Sequence, residues 1–270
     1  MSRLRPPAAP RRAGVERKSA RELDLMRQAG QINAEALAEM AAAVRPGLTT
    51  QALDTLAEKV IVGRGAQPAF KGYPGPYPYP FTVTVSVNDE LVHGLPGKRE
   101  LREGDVVSLD CGTRYQGFYA DAALTVGVGT LSPLAARLIE ITEQSLYVGI
   151  RLARPGQRTG DVAAAMQQYV EDHGFCMVRD YTSHGIGRQM HEDPEICYYV
   201  RPGTGTPLRP GMTLALEPMV LVGTADTRVR PDQWTVVSAN GSLTAHFEHT
   251  VAVTEGEPEI LTQRRAKNKP

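Results

Sequence analysis

The sequence contains two copies of the same series of short segments, in the same order. The first copy runs Arg45-Pro46-Gly47, His93-Gly94-Leu95 and Leu101-Arg102-Glu103-Gly104, and the second runs Arg154-Pro155-Gly156, His184-Gly185-Ile186 and Leu208-Arg209-Pro210-Gly211. Any one of these matches could arise by chance, whereas three in one order indicate two half-domains related by pseudo-symmetry. The fold must therefore accommodate two similar units within 270 residues.

Helix signals stand at the start of each half. Ser19-x-x-Glu22 is a capping box, and apolar residues then recur at helical spacing. A second helix is predicted at about 50–62, and Thr159 begins its counterpart in the second half. Ser132-Pro133 is a cap followed by proline in the first turn, which predicts a helix at 132–152 that joins the halves.

The remaining segments have the features of β-strands. Residues 81–87 alternate apolar and hydroxyl side chains, which predicts a strand with one packed and one polar face. Further strands are predicted at about 105–111, 118–127, 213–217, 234–238 and 246–254. Because helices precede strands in each half, the order favours an α+β fold with an antiparallel sheet over alternating βαβ units.

Charge and cysteine content exclude several classes of protein. Thirty basic and thirty acidic residues balance, so the folded body is not expected to bind nucleic acid or an anionic membrane. Three cysteines without a C-x-x-C argue against a disulfide or zinc-thiolate framework and favour a reducing cytoplasm. No apolar run has the length of a membrane-spanning helix and no signal peptide is recognisable, so we expect a soluble protein.

Both ends of the chain differ from this balanced body. Residues 1–18 combine basic side chains with prolines and lack apolar periodicity, which predicts a disordered basic arm. Residues 261–270 are interpreted as a similar basic tail. A single domain is therefore expected at 19–260.

Residues 184–194 place two histidines, two glycines and two acids close together. Gly185 and Gly187 argue against a helix here. On a continuous strand, the odd spacing of His184 and His191 would direct their rings to opposite faces, so the chain must bend if both serve one site. Taken alone, the segment fits a polar loop as well as a site.

Four acids begin or end predicted strands: Asp110, Asp121, Glu217 and Glu248. Apolar runs lead directly into Asp110 and Glu217, and burying such carboxylates in one cleft is prohibitive unless cations neutralise them. If the halves face each other, the acids meet at the pseudo-symmetry axis. Four carboxylates with one histidine suit two divalent ions. This donor set favours manganese, iron or cobalt, and zinc remains possible.

Together these motifs resemble the type I methionine aminopeptidases. The segments that carry the resemblance are 86–96, 104–110, 117–121, 184–194, 216–219 and 247–250. They occur in the family's order and at its spacing, between about residues 21 and 254. The resemblance implies the pita-bread (creatinase/aminopeptidase) fold, which has two pseudo-symmetric halves, a curved antiparallel sheet and helices on its outer face.

The resemblance implies a role for each acid and histidine. The implied ligands of two divalent ions (cobalt, manganese, iron or zinc) are Asp110, Asp121, His184, Glu217 and Glu248. Asp121 and Glu248 would bridge the ions, and Glu217 would also shuttle a proton. His93 and His191 would be catalytic residues that contact the substrate without binding metal. The implied reaction is removal of a first methionine by metal-activated hydroxide when the second residue is small.

The same resemblance places five side chains around the slot for the methionine side chain: Tyr79, Thr84, His93, Met190 and Trp234. Thr84 stands where many relatives have cysteine, and Met190 where an aromatic is common. The loop at 72–80 is longer than usual, and Tyr79 matches the pocket tyrosine better than Tyr73. His246 replaces a common glutamine. These differences bear on pocket shape and not on the metal ligands.

The expected partners are the amino termini of nascent polypeptides, and ribosome contact through the basic arm is a further hypothesis. DNA and membranes are not expected partners, and a cytoplasmic monomer is expected.

Two alternatives to the methionine aminopeptidase function stay open. An X-Pro aminopeptidase or prolidase shares the five ligand types but usually carries an arginine-containing motif around the last one. A non-catalytic binding protein of the same fold would typically lack some ligands.

Overall fold

The computed structural model describes residues 14–263 of the chain. Within them lie the helices α1 (Ala20–Ala43), α2 (Thr50–Gly63), α3 (Pro133–Leu152) and α4 (Thr159–Asp172). The strands are β1 (Gln67–Pro68), β2 (Val83–Val87), β3 (Glu90–Val92), β4 (Val106–Tyr115), β5 (Phe118–Gly127), β6 (Cys176–Met177), β7 (Ser183–Gly185), β8 (Glu192–Ile196), β9 (Thr213–Leu216), β10 (Met219–Leu221), β11 (Thr227–Val229), β12 (Val236–Ser238), β13 (Thr244–His246), β14 (Glu248–Ala252) and β15 (Glu259–Ile260). Each predicted helix is confirmed.

Most strands belong to one antiparallel sheet. Its nine strands follow the order β1-β4-β5-β14-β9-β7-β8, with β2 also paired to β4 and β15 to β14. Two three-stranded sheets have the orders β13-β10-β6 and β11-β12-β3. The strand pairs are antiparallel. The predicted α+β class is confirmed, and the large sheet passes from the first half to the second where β5 pairs with β14.

The sequence repeat has a counterpart in the structure. α2 and α4 begin at the repeated threonines, Thr50 and Thr159, and both are buried. The residue before each helix forms an isolated antiparallel bridge, which joins Thr49 to Glu100 and Arg158 to Pro207. Equivalent residues of the two halves therefore make equivalent contacts.

The helices cover one face of the large sheet. In the first half, buried residues of α1 and α2 pack against β2 and β4, and these include Leu37, Leu53, Val85 and Leu109. In the second half, α3 packs against β9 and β14, and α4 packs against α3, β6 and β8; the buried residues of this core include Leu146, Met166, Leu214 and Val251. Strand side chains alternate between faces, so the neighbours of these core residues point to the opposite side. That side carries the polar site.

The ends of the described chain pack against the domain, contrary to the predicted arm and tail. Lys18 is buried, its backbone N–H donates to the carbonyl of Gly211 at 2.6 Å, and its ammonium contacts Glu192 at 2.5 Å. Leu261 is buried against α1, where a side chain on Gly30 would clash with its carbonyl. Composition could not predict the contacts of Lys18 and Leu261, because a single residue that packs against a distant part of the chain leaves no periodic pattern in the sequence. The rest of the predicted arm and tail, 1–13 and 264–270, lies outside the described residues.

Two predicted strands are divided or shorter. The strand expected at 246–254 is two strands, β13 and β14, because at Phe247 the chain passes from a pairing with β10 to pairings with β5 and β9. The strand expected at 234–238 begins at Val236, so Trp234 lies in the preceding loop. Among residues 14–263, no helix is long and apolar enough to cross a bilayer.

Candidate metal centre

The register of the β4–β5 hairpin brings the first two acids together. Its turn is Gln116-Gly117, with positive φ at both residues, 47° and 87°. Such a pair of φ angles is typical of a two-residue hairpin turn, which sets the strand register. The register pairs Asp121 with Gly112 and Asp110 with Ala123. Because paired residues share a face and Asp110 and Gly112 are two positions apart, both carboxylates lie on one face.

Strands of the second half add two more polar side chains to this face. Glu248 of β14 pairs with Ala123, the residue that also opposes the first acid. His184 of β7 pairs with Ala215 of β9, which in turn pairs with Thr250. Thr250 is two residues after Glu248 and shares its face. The two alanines are small, which leaves space above the sheet between the acids and the histidine.

The five predicted ligands converge within this space. Ligand atoms of Asp121, His184 and Glu248 lie within 4.8 Å of one another. Glu217 directly follows β9, and its Oε1 is 3.3 Å from Nε2 of His184. Asp110 and Asp121 are diagonal neighbours on one face of the β4–β5 hairpin. Acids and a histidine from four distant segments therefore form one cluster.

The carboxylates of the cluster are buried and incompletely hydrogen-bonded. Among the described residues, Asp110 Oδ1, Asp121 Oδ1 and Glu248 Oε1 have no hydrogen-bond partner. Burial raises the pKa of Asp110 to about 7. Burial, and then repulsion by neighbouring carboxylates, raises the pKa of Asp121, Glu217 and Glu248 well above their ordinary values. Unpaired buried carboxylates of this kind are stabilised by divalent cations, so the residues present fit a metal centre.

His184 has the tautomer that binds metals. Its Nδ1 lies 2.8 Å from the carbonyl oxygen of Gly185, which can only accept a hydrogen bond. Nδ1 therefore carries the proton, and the lone pair is on Nε2, the nitrogen that faces Glu217. Burial lowers the pKa of His184 to about 3, which keeps the ring neutral at neutral pH. A neutral imidazole oriented by a backbone carbonyl is a common metal ligand.

The bend predicted between the two histidines is present. β7 ends at Gly185 and β8 begins at Glu192, and the rings of His184 and His191 are 4.3 Å apart. His191 is exposed in the cleft, and its Nδ1 lies 2.7 Å from the hydroxyl of Tyr73. If that hydroxyl donates, Nε2 is the N–H donor of the His191 ring. Tyr73 was missed because the sequence comparison favoured Tyr79 as the functional tyrosine of this loop.

Three of the predicted pocket residues form an aromatic wall. The Trp234 ring is 5.1 Å from that of Tyr79 and 6.2 Å from that of His93. Tyr77 contacts the same indole edge-on at 6.1 Å, and a side chain on Gly75 would collide with it. Trp234 is partly exposed and contacts His93, so it lies in the wall of the cleft and not in the core.

Thr84 and Met190, the other two predicted pocket residues, border the acid-bearing face. The hydroxyl of Thr84 donates to Asp110 at 3.4 Å. Met190 is buried, and together with Phe70 it fills the space above Gly112, where a Cβ would lie 2.6 Å from each side chain. Thr84 therefore touches a predicted ligand, whereas Met190 closes the site on the side of Gly112.

A second buried histidine lies beside the acids and was not predicted to belong to the metal centre. His246 Nε2 is 3.8 Å from Oε2 of Glu217 and 4.0 Å from Oε2 of Glu248. The family resemblance indicated only that His246 replaces a common glutamine. The signal that could have found it is its position two residues before Glu248, since such residues share a face of a strand.

The chain matches a known family and known proteins over most of its length. Residues 24–255 match the model of metallopeptidase family M24. The chain is 49% identical over 245 residues to methionine aminopeptidase of Clostridium perfringens, covering 91% of this chain and 97% of that protein. It is 46% identical over 246 residues to methionine aminopeptidase 1 of Bacillus subtilis, covering 91% and 98%. The chain belongs to the methionine aminopeptidases of family M24.

A solved structure of a methionine aminopeptidase has the same fold as this chain. Methionine aminopeptidase from Thermotoga maritima has a TM-score of 0.90 and 45% identity, and the match covers 93% of this chain and 100% of that one. Prolidase from Pyrococcus furiosus has a TM-score of 0.75 and 20% identity, covering 93% of this chain and 66% of that one. The prolidase likeness shows the shared fold alone. The predicted pita-bread fold of the M24 family is thus confirmed.

Proposed function

We propose that this M24 protein hydrolyses the first peptide bond of polypeptides that begin with methionine and have a small second residue. Its substrates are the amino termini of nascent polypeptides. The observation that carries the proposal is one buried cluster of ligands next to an aromatic pocket, formed by Asp110, Asp121, His184, Glu217 and Glu248. The donor set suits two divalent ions, which we take to be cobalt, manganese, iron or zinc.

We assign Asp121 and Glu248 as the bridging carboxylates. Glu248 belongs to two groups of potential ligands, one with Asp121 and His184 and one with Glu217 and His246, which supports a role in holding both ions. Ligand atoms of Asp121 and Glu248 lie within 4.8 Å of each other, and the charges of Asp110 and Glu217 also act on Asp121, which supports a central position as well. Two divalent ions supply, when bound, an activated water and a Lewis acid for the scissile carbonyl.

The chain itself provides groups for the proton and for the developing negative charge. The Glu217 side chain is 14% exposed, so it can accept a proton from the attacking water and deliver it to the leaving amine. His191 is exposed in the cleft, and with Nδ1 held by Tyr73 its Nε2–H can donate to the carbonyl oxygen. His93, at the edge of the aromatic wall, can hold the substrate backbone or the leaving nitrogen.

Selectivity for methionine follows from the walls of the pocket. The rings of Tyr79 and Trp234 and the side chain of Met190 offer apolar surface to a long, unbranched and polarizable thioether. A β-branched first residue would clash at the mouth, and a charged one would lose hydration without gaining a partner. With Thr84 in place of a thiol and Met190 in place of a ring, we expect norleucine to be accepted well and leucine poorly.

The test is a comparison of metal-stripped and metal-reconstituted protein on a matched series of tripeptides. We expect turnover of Met-Ala-Ser only after addition of cobalt, manganese, iron or zinc, and much lower kcat/KM when the second residue is lysine. Absence of turnover with each metal would favour a non-catalytic binding protein. Faster cleavage of an Ala-Pro peptide than of Met-Ala-Ser would favour the X-Pro branch, and equal kcat/KM for Met-Ala and Met-Lys would contradict a narrow second subsite.

We further infer that the protein acts as a cytoplasmic monomer. Cys111, Cys176 and Cys197 form no disulfide among residues 14–263, as a reducing compartment favours. Contact of the basic residues at 1–13 with ribosomal RNA would be salt-sensitive, because it would release counterions from phosphates. Co-sedimentation of the full chain with ribosomes at rising salt tests this contact, and salt-independent behaviour would contradict it.

A further inference from the structure

His246 has an unusual environment for a buried histidine. The residue is 2% exposed, and neither Nδ1 nor Nε2 has a hydrogen-bond partner among the residues that the structure describes. Buried polar atoms are normally paired, and each exception calls for an explanation. A neutral imidazole has one donor and one acceptor nitrogen, so the lone pair of the acceptor nitrogen has no hydrogen-bond donor here and the N–H has no acceptor.

The backbone fixes the direction of this ring. The N–H of His246 donates to the hydroxyl of Thr125 at 2.9 Å, and that hydroxyl donates to the His246 carbonyl at 2.7 Å. On its other side, β13 pairs His246 with Met219. With its backbone held on both sides, the ring extends toward the carboxylates of Glu217 and Glu248, at 3.8 and 4.0 Å from Nε2.

We propose that His246 is a sixth protein ligand of the metal centre and binds the ion held between Glu217 and Glu248 through Nε2. Two ligand atoms that each lie about 2.1 Å from one ion are separated by roughly 3 to 4.2 Å, and both observed distances fall in this range. The nitrogen and the two carboxylates also form one group whose ligand atoms lie within 4.8 Å of one another. An ion in this position gives the lone pair of His246 the partner that the protein does not supply.

A second imidazole changes which metal the centre prefers. With His184 alone, the donor set is dominated by oxygen, which suits manganese. Adding His246 makes one ion position richer in nitrogen, which shifts relative affinity toward zinc, iron and cobalt. The inference rests on the proposed metal-dependent function, and it concerns the ligands of the centre rather than the reaction.

The test uses the full chain with His246→Gln, and His249→Gln as a matched control. His249 is a neighbouring histidine whose Nδ1 is already paired with Thr262 at 2.9 Å. Metal-stripped proteins are titrated with Co²⁺ by calorimetry, and we expect His246→Gln to lower affinity at one of two sites by at least 10- to 100-fold, the range for disturbing a ligand's support. His249→Gln should retain both affinities. Pulsed EPR of the Mn²⁺-loaded proteins should detect one fewer coupled histidine nitrogen in His246→Gln than in the wild type.

Unchanged Co²⁺ affinities together with unchanged nitrogen couplings in His246→Gln would overturn the proposal. Thermal unfolding of the metal-free proteins shows whether a variant has a folding defect. Without metal, His246→Gln should melt at or above the wild-type temperature, because the amide N–H groups of glutamine can donate to the nearby carboxylates of Glu217 and Glu248, and it should gain less on adding Co²⁺. If this variant does not fold, His246→Asn repeats the titration. Wild-type turnover of Met-Ala-Ser is measured separately, so a wrong substrate class and a wrong sixth ligand give different results.

Discussion

Replacing Lys18 with methionine would remove a buried ammonium while keeping most of the apolar stem. The side chain of Lys18 is 2% exposed, and Nζ lies 2.5 Å from Oε2 of Glu192, which is 12% exposed. The other oxygen of Glu192 accepts the backbone N–H groups of Arg188 and Gln189, at 2.6 and 3.0 Å. The ion pair therefore fixes the turn that leads into His191, and the substitution should loosen it.

The magnitude follows from what the substitution leaves behind. Removing one partner of a buried ion pair costs about 3–5 kcal/mol. Glu192 keeps two backbone donors and some contact with water, so we expect a smaller loss, about 2–3 kcal/mol, close to that of a hydrogen bond to a charged group. For a domain of this size that corresponds to a melting temperature lower by roughly 5–10 °C. A small displacement of His191 should also lower kcat/KM by roughly tenfold, since catalytic groups tolerate little misplacement.

The assay is thermal and urea unfolding of metal-free protein, with peptide hydrolysis measured well below the melting temperature. Arg17→Met is the control, because it removes the adjacent basic residue, whose guanidinium donates to the carbonyl of Pro210. We expect it to change stability by less than about 0.5 kcal/mol. In a His191→Ala background, Lys18→Met should still lower stability but should have little further effect on kcat/KM. A Lys18→Met protein that melts with the wild type would refute the reasoning, and additive losses of kcat/KM would refute action through His191.

Four further predictions concern the site and the ends of the chain. Asp121→Asn should abolish turnover and weaken binding of both metals in a calorimetric titration, because a bridging carboxylate serves two ions; two metals with normal turnover would contradict it. His191→Ala should retain both metals and lose kcat by roughly 10²-fold, the scale of one oxyanion donor, and loss of a metal would instead make it a ligand. Ser19→Ala should lower unfolding free energy by about 1 kcal/mol, because the α1 capping box is lost, and unchanged urea unfolding would argue against it. Deletion of 1–13 should leave peptide hydrolysis intact, whereas deletion of 1–18 removes Lys18 and should not.

Local signals in the sequence determined the elements and the kinds of ligand. The capping box at Ser19, the proline after Ser132 and the alternation at 83–87 act within a few residues, so they could be recognised without a partner. Apolar runs that lead into Asp110 and Glu217 indicated buried acids for the same reason. Glu217 does follow β9, whereas β4 continues past Asp110 to Tyr115, so the prediction that Asp110 ends a strand was wrong. The repeat gave the two halves, because duplicated contacts require duplicated residues.

The tertiary structure decided which residues meet. Asp121 and Glu248 come together because a two-residue turn sets one register and the β5–β14 pairing sets another, and no local pattern encodes the second. The contact of Lys18 with Glu192 and the direction of the His246 ring likewise depend on residues distant in sequence. Such contacts form only when the whole chain is packed. The local sequence around each residue does not indicate its partner, because the partner is distant in the chain.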